Sequence, residues 1–374
     1  MKFFATAASG TEGALKDELR ALKVKVKADR GGVHFEGDLV DGFRVCLHAR
    51  VAMRVLVEVV RGPAVGEKGL YDLMRSVDWR EHLTARHTFA ITATCKSSQM
   101  THSQFIAQRA KDAIVDQLRD YTGQRPSVDT RDPDVDVVLR LVRDQATVYL
   151  DLAGEPLHRR GYRRSTVDAM MKETLAAAVL QIAGYTGEDD LLDPLCGAGT
   201  ILLEGALMAR NIAPGLGRRF NVERWPNLEA DTVSAWAALR EEAQAAVRPR
   251  ALVRLRGVDV SEEALRATRA NAEAAGVSAD VSLERTDARH LRPDRDRGWV
   301  VTDPPYGDRL AAKPLQLAGF ARQFGEALRG FRGHTVAILS GNPMVSRSLN
   351  LPFTFEHTLY NGDTECRLLR AQIA

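Results

Sequence analysis

The chain has 374 residues, 45% of them hydrophobic and 27% charged, a composition that fits an ordinary globular protein of two or three domains and excludes a disordered or fibrous one. No apolar run reaches the ~18 residues of a membrane span, the apolar opening Phe3–Ala8 is too short for an export signal, and four scattered cysteines without a C-x-x-C pair exclude a disulfide scaffold or a zinc ribbon. The net charge of +3 divides into +5 over residues 1–165 and −2 over residues 166–374, which assigns contact with a polyanion mainly to the first half.

In chain order, Lys2–Ala8 reads as a strand and Glu12–Leu22 as a helix with Leu15, Leu19 and Leu22 on one face. Short strands at Val24–Lys27 and Val33–Glu36 flank Gly31-Gly32, Leu39–Ala49 is a second amphipathic helix, and Met53–Val60 is a strand. Gly62-Pro63 punctuates. A second α+β unit follows, with helix Leu70–Val77, strand Thr88–Thr94, long helix Ser103–Tyr121, and a hairpin of Val135–Val142 with Ala146–Leu152. On the long helix Ile106, Ala110, Ala113, Ile114 and Leu118 point inward, which leaves Arg109 and Lys111 toward the exposed side as RNA-contacting candidates.

The stretch from Pro156 to Arg164 holds four arginines, His158 and Tyr162. Such a run reads either as a solvated linker or as a basic connector. In the second reading His158, Arg159, Arg160, Tyr162 and Arg163 supply phosphate contacts and a stacking surface. Beyond residue 172 long helices alternate with short apolar strands, the signature of a doubly wound sheet. Helices are predicted at Glu173–Ala183, Gly199–Ala209, Glu229–Val247, Glu262–Ala275 and Phe320–Leu328. Strands are predicted at Leu191–Leu192, Val253–Val258, Asp280–Arg285, Trp299–Thr302 and Thr335–Leu339. The chain closes with Thr354–Tyr360, Asn361-Gly362 and Thr364–Ala371, an antiparallel hairpin.

Asp193-Pro194-Leu195-Cys196-Gly197-Ala198-Gly199-Thr200 follows a strand and opens a helix. Two glycines there let a ligand approach the backbone. A dinucleotide fits poorly: Leu202 stands where the third small residue belongs, and Asp193 would repel a pyrophosphate. A ligand with no phosphate and a cationic amino end, such as S-adenosylmethionine, fits the same residues. Asp259, followed by Val260, ends the next strand and is placed for the ribose hydroxyls; Asp287, followed by Ala288, is placed for the adenine amine. Either aspartate alone also reads as a helix cap.

Thr302-Asp303-Pro304-Pro305-Tyr306-Gly307 follows the fourth parallel strand. Two prolines stiffen the loop, Asp303 is an acceptor and Tyr306 a stacking surface. Methyl transfer to an exocyclic amine needs that set, because the amine lone pair is delocalised into the ring and must be turned out by acceptors on its N–H groups. The base must also leave its stack to be reached.

These two motifs resemble the amino-methyltransferase signature, and the whole chain resembles the bacterial THUMP-domain RNA guanine-N2-methyltransferases, especially the 23S rRNA branch. The resemblance is also carried by Phe3–Leu22, by Leu157-His-Arg-Arg-Gly-Tyr-Arg163, by Lys172-Glu-Thr-Leu-Ala-Ala-Ala178, and by Asn211–Gly215 with Glu223-Arg-Trp-Pro226. It implies a ferredoxin-like domain (1–61), a THUMP RNA-binding domain (62–153), a basic connector (154–171) and a Rossmann-like methyltransferase domain (172–374) with a mixed sheet. It further implies that Lys172 and Thr174 help hold the methionine end of S-adenosylmethionine, with S-adenosylhomocysteine as product. Many relatives carry Asn where this chain has Asp303; both offer an acceptor oxygen. The expected partner is 23S rRNA, with tRNA as the alternative and a non-catalytic ribosome-assembly factor as the reading from another class. A cytoplasmic monomer without metal or membrane is expected.

Overall fold

Strand β1 (Lys2–Thr6) sends Phe3 to a helix-covered face, where its ring stacks on Phe35 at 4.7 Å, and Phe4 to the other, beside Leu56 and Tyr149. The structure, a computed structural model, describes residues 1–164, 171–305 and 314–374. Packing separates two units. The first is Met1–Thr6, Leu19–Leu157 and Arg218–Glu241; the second is Ala7–Glu18, His158–Gly217 and Glu242–Ala374.

After β1 come α1 (Glu12–Ala21), β2 (Lys25–Asp29), β3 (Gly32–Glu36), α2 (Leu39–His48) and β4 (Arg54–Pro63). Asp38 and Asp41 close a reciprocal capping box at the start of α2. Next are α3 (Gly66–Arg75), β5 (Thr88–Lys96), α4 (Ser103–Thr122), β6 (Ser127–Val128), β7 (Val135–Val142) and β8 (Gln145–Asp151). All eight strands form one sheet in the order β2-β3-β1-β4-β8-β7-β5-β6, joined by the antiparallel pairing of β4 with β8. Alternation explains β7, whose Val135, Val137, Leu139 and Leu141 are all fully buried. Gly62-Pro63, read as punctuation, lies inside β4. Proline is tolerated there because β4 pairs with β1 only as far as Val57, so no neighbour on that side needs the missing N–H.

Residues Arg218–Glu241, read from sequence as part of the methyltransferase region, fold with this first unit. Trp236 lies against Phe43 at 4.7 Å, and the Asn221 amide donates to the Pro133 carbonyl at 2.9 Å.

The second unit carries α5 (Glu173–Ala183), β9 (Leu191–Asp193) and α6 (Thr200–Ala209). Beyond α7 (Ala230–Ala245) follow β10 (Leu255–Asp259), α8 (Glu262–Ala274), β11 (Val281–Arg285), β12 (Gly298–Thr302), α9 (Pro314–Arg329), β13 (His334–Ser340), α10 (Pro343–Leu349), β14 (Phe355–Asn361) and β15 (Thr364–Gln372). The sheet order is β11-β10-β9-β12-β13-β15-β14, parallel from β11 to β13 and antiparallel through the final hairpin. This is the expected Rossmann-like architecture with a mixed sheet. Chain order runs outward from β9 to β11 and then returns to β12 on the other side of β9. A topological switch point, where ligands of such sheets bind, therefore lies at the carboxyl ends of β9 and β12. Residues 7–18 also belong here: the Tyr360 amide donates to the Ser9 carbonyl at 3.0 Å.

Candidate active site

Four strand ends place the predicted residues in a row. Asp193 ends β9, Asp259 ends β10, Asp287 follows β11, and Asp303 follows β12. Asp193 is 2% exposed, and its Oδ1 accepts from the Thr302 hydroxyl at 2.8 Å and from the Leu195 amide at 3.3 Å. Burial above all pushes its carboxyl up to about 7. The carboxylates of Asp303 and Asp259 add to the rise, and the Thr302 and Leu195 hydrogen bonds oppose it.

Between Asp193 and α6 the chain turns through Pro194–Gly199. Gly197 (φ +53°) and Gly199 (φ +86°) are both left-handed. A β-carbon at Gly199 would strike Thr268 Cγ2 at 2.6 Å, whereas one at Gly197 would meet nothing within 4 Å. Open space therefore borders Gly197. The Gly197 amide donates to Asp259 Oδ2 at 3.0 Å, and Asp259 Oδ1 accepts from the Ser261 amide at 2.8 Å. These bonds leave the Asp259 carboxylate lone pairs for a ligand. Val260 beside it is 56% exposed and apolar. Pro194 and Thr200 are buried, and burial pushes the Cys196 thiol well above its ordinary value, so it stays protonated.

Asp287 is committed elsewhere. It caps the short turn Ala288–His290 and is gripped by the Arg289 guanidinium, which holds its carboxyl at about 2. Ala288 is buried. Lys172 is exposed at the N-terminus of α5, and Thr174 is buried in its first turn. Asp303, Pro304 and Pro305 are described; Tyr306 lies outside the described residues.

The connector differs from the sequence reading. The Arg160 side chain is 3% exposed and paired with fully buried Glu204 at 3.5 Å, and the Tyr162 hydroxyl donates to Glu204 Oε1 at 3.0 Å. Arg163 donates to Glu173 Oε1 and to the Met171 carbonyl, both at 2.9 Å. Burial, followed by Lys172, Arg159, Arg160 and Arg163, pushes His158 down to about 4, so it is neutral near pH 7. Arg160 and Tyr162 are thus buried supports rather than phosphate or base contacts, Arg163 is held by its carboxylate partner, and His158 is not a cation. Arg159 stays exposed. On α4, Arg109 is half-buried with its guanidinium 4.3 Å from the Tyr71 ring centre, and Lys111 pairs with Asp112 at 2.7 Å. Neither stands on an open face as the helix periodicity predicts.

Sequence reasoning missed Thr268 and Asn271 on α8. The Thr268 hydroxyl donates to the Gly197 carbonyl at 2.7 Å, and the Asn271 amide donates to the Ala198 carbonyl at 3.1 Å. Both residues are buried polar groups at helical spacing from apolar Leu265 and Ala272, a signal that marks a polar partner nearby. Among the described residues no group of three His, Cys, Asp or Glu side chains could hold a metal ion, and no helix is long and apolar enough to cross a membrane.

Comparison with known proteins agrees with the fold. Residues 160–370 match the RMKL-like methyltransferase domain, residues 66–151 the THUMP domain and residues 2–56 the RlmL ferredoxin-like domain. The chain is similar to the ribosomal RNA large subunit methyltransferase K/L of Syntrophotalea carbinolica, with 41% identity over all of this chain and 54% of that protein. It spans about half the length of the curated relatives of that name. A Synechocystis protein assigned as an RNA methyltransferase is 35% identical, over 99% of this chain and 96% of that one. The solved structure of SMU.472, assigned as a methyltransferase and in complex with SAH, has a TM-score of 0.92 at 26% identity, covering 100% of this chain and 98% of that one. With a glycine turn and strand-end aspartates at the switch point of its sheet, and with the family match covering more than half its length, the chain belongs to the RMKL-like methyltransferase family.

Proposed function

We propose that the chain is an S-adenosylmethionine-dependent RNA methyltransferase acting on the exocyclic N2 amine of a guanine in large-subunit ribosomal RNA. The observation that carries this reading is the meeting of the glycine turn, buried Asp193 and Asp303 at one end of the β9–β12 pair. The site fits the cofactor on its own chemistry. Gly197 borders open space, Asp193 offers a carboxylate for an ammonium, and the N-terminus of α6 offers amides for a carboxylate. Asp259 would hold the ribose hydroxyls. Asp287, already gripped by Arg289, could add only a spare lone pair toward the adenine amine. When bound, the cofactor supplies an activated methyl group.

The residues of the chain do the rest. Pro304 and Pro305 stiffen the backbone after β12, and Asp303 accepts a hydrogen bond from the target amine, turning its lone pair outward. The RNA choice is supported by the THUMP match and by the names of the relatives of which this chain spans about half. Asp303→Ala should lower turnover by roughly 100-fold or more, the scale on which a group acting on the reacting atoms contributes, while S-adenosylhomocysteine affinity stays within a factor of about 3. Labelled-methyl transfer to rRNA and tRNA pools, followed by nucleoside analysis, reads the substrate. Label confined to tRNA, or on a nucleoside other than N2-methylguanosine, would overturn that part of the proposal.

A further inference from the structure

The last described residue before the 165–170 stretch, Arg164, is tied to the glycine turn through one side chain. The Arg164 amide donates to Asn271 Oδ1 at 2.8 Å, and Asn271 Nδ2 donates to the Ala198 carbonyl at 3.1 Å. Asn271 is 1% exposed on α8. The carboxamide both accepts and donates across this span. Aspartate lacks the donor and leucine lacks both, and a flipped amide would set donor against donor. One turn earlier on α8, Thr268 holds the Gly197 carbonyl at 2.7 Å and, among the described residues, has no hydrogen bond to the connector that would duplicate the link.

Holding these two carbonyls toward α8 has a geometric result. Peptide units are planar and trans, so the Ala198 and Gly199 N–H groups point away from the carbonyls they share a plane with. The Gly199 amide then closes the turn onto the Cys196 carbonyl at 2.7 Å, and the Ala198 amide faces away from α8. At its other end the connector is anchored by the Arg160–Glu204–Tyr162 cluster, and Glu204 stands four residues into the helix that the turn opens. Among the described residues the connector thus meets the turn-and-helix unit directly at Glu204 and indirectly through Asn271.

We propose that Asn271 is a positioning residue that couples the connector to the glycine turn, so that cofactor binding and connector order reinforce each other. The coupling rests on the proposed cofactor site. A ligand that stiffens the turn strengthens the Ala198 bond and through it the hold on Arg164; by linkage, an ordered connector tightens the ligand by the same factor.

Amide hydrogen exchange and calorimetry on the full chain, with S-adenosylhomocysteine as the probe, test this. In the wild type, saturating ligand should slow exchange across residues 158–164. Asn271→Ala should bind about tenfold more weakly, the scale of losing one buried and one partly buried hydrogen bond, and its connector exchange should no longer respond to saturating ligand. Thr268→Val should bind about fivefold more weakly yet keep the connector response, which separates relay from general loosening. The proposal is overturned if connector protection is the same in Asn271→Ala as in the wild type, or if ligand leaves the wild-type connector unprotected. The second result does not depend on any variant folding. A wild type that binds no S-adenosylhomocysteine would overturn the proposed function and this coupling together.

Discussion

The glycine turn at 193–199 and the connector at 156–164 are both short stretches rich in chemistry, yet the fold uses them in opposite ways. In the turn the neighbouring elements occupy the carbonyls from behind, through Thr268 and Asn271, and open space borders Gly197. In the connector Arg160, Tyr162 and Arg163 are drawn inward to Glu204 and Glu173. Residue type sets what bonds are available; burial decides whether a ligand or the protein itself takes them. A buried arginine with a buried carboxylate is a support, whatever its neighbours in sequence suggest.

The largest effect expected from breaking this contrast is on stability. Arg160→Ala strands the Glu204 carboxylate, which has no solvent exposure, and should cost about 3–5 kcal/mol in denaturant unfolding. Arg160→Met combined with Glu204→Gln should recover most of that loss, because the glutamine still accepts from Tyr162. If Arg160→Ala instead keeps parental stability and loses RNA affinity, the connector is a phosphate contact after all.

An intermediate effect sharpens the other side of the contrast. Asp193 sits at about 7 in the folded chain against an ordinary 3.8, chiefly through burial. Its folded state therefore favours the proton. The associated stability is complete below pH 4 and is lost as pH rises through about 7. A ligand ammonium beside Asp193 favours the opposite form, so S-adenosylhomocysteine affinity should rise by up to tenfold per unit as pH climbs toward 7 and level off above it. Raising the pH thus loosens the unliganded protein while tightening the complex. Asp193→Asn should remove both trends; melting curves and calorimetry between pH 5.5 and 8.5, a range of about three units around the titration, read them separately.

The smallest effect belongs to Arg159, which with Arg164 is one of two exposed connector arginines. Arg159→Ala should change stability by less than about 0.5 kcal/mol and lower the log–log salt slope of RNA binding by about one unit if it meets a phosphate. An unchanged slope would mean that Arg159 meets no phosphate.

The sequence showed most clearly what is local. The strand-to-helix turn needs two left-handed glycines and a buried strand end, and all three signals are contiguous in Asp193–Gly199. The final hairpin was legible too, though its two-residue loop is Gly362-Asp363, one position beyond the Asn-Gly pair, since Asn361 pairs with Thr364. Helix α10 was overlooked despite an Asn342 cap, Pro343 at its first turn and a left-handed Asn350 at its end, because it is only seven residues long. Three features depend on distant partners and could not be read from periodicity. These are the joining of two α+β units into one sheet by β4 and β8, the inward turn of Arg160 and Arg163, and the withdrawal of Arg109 onto Tyr71.

The placement of Arg218–Glu241 in the first unit has a consequence for how the chain is made. The first unit's other residues have all been translated by Leu157, but the Trp236 ring that covers Phe43 comes much later. At roughly 5–20 residues per second the nascent unit waits several seconds with that aromatic surface bare, an interval in which a holding chaperone competes with aggregation. Completion of the first unit is therefore timed by synthesis of residues 158–217 of the second.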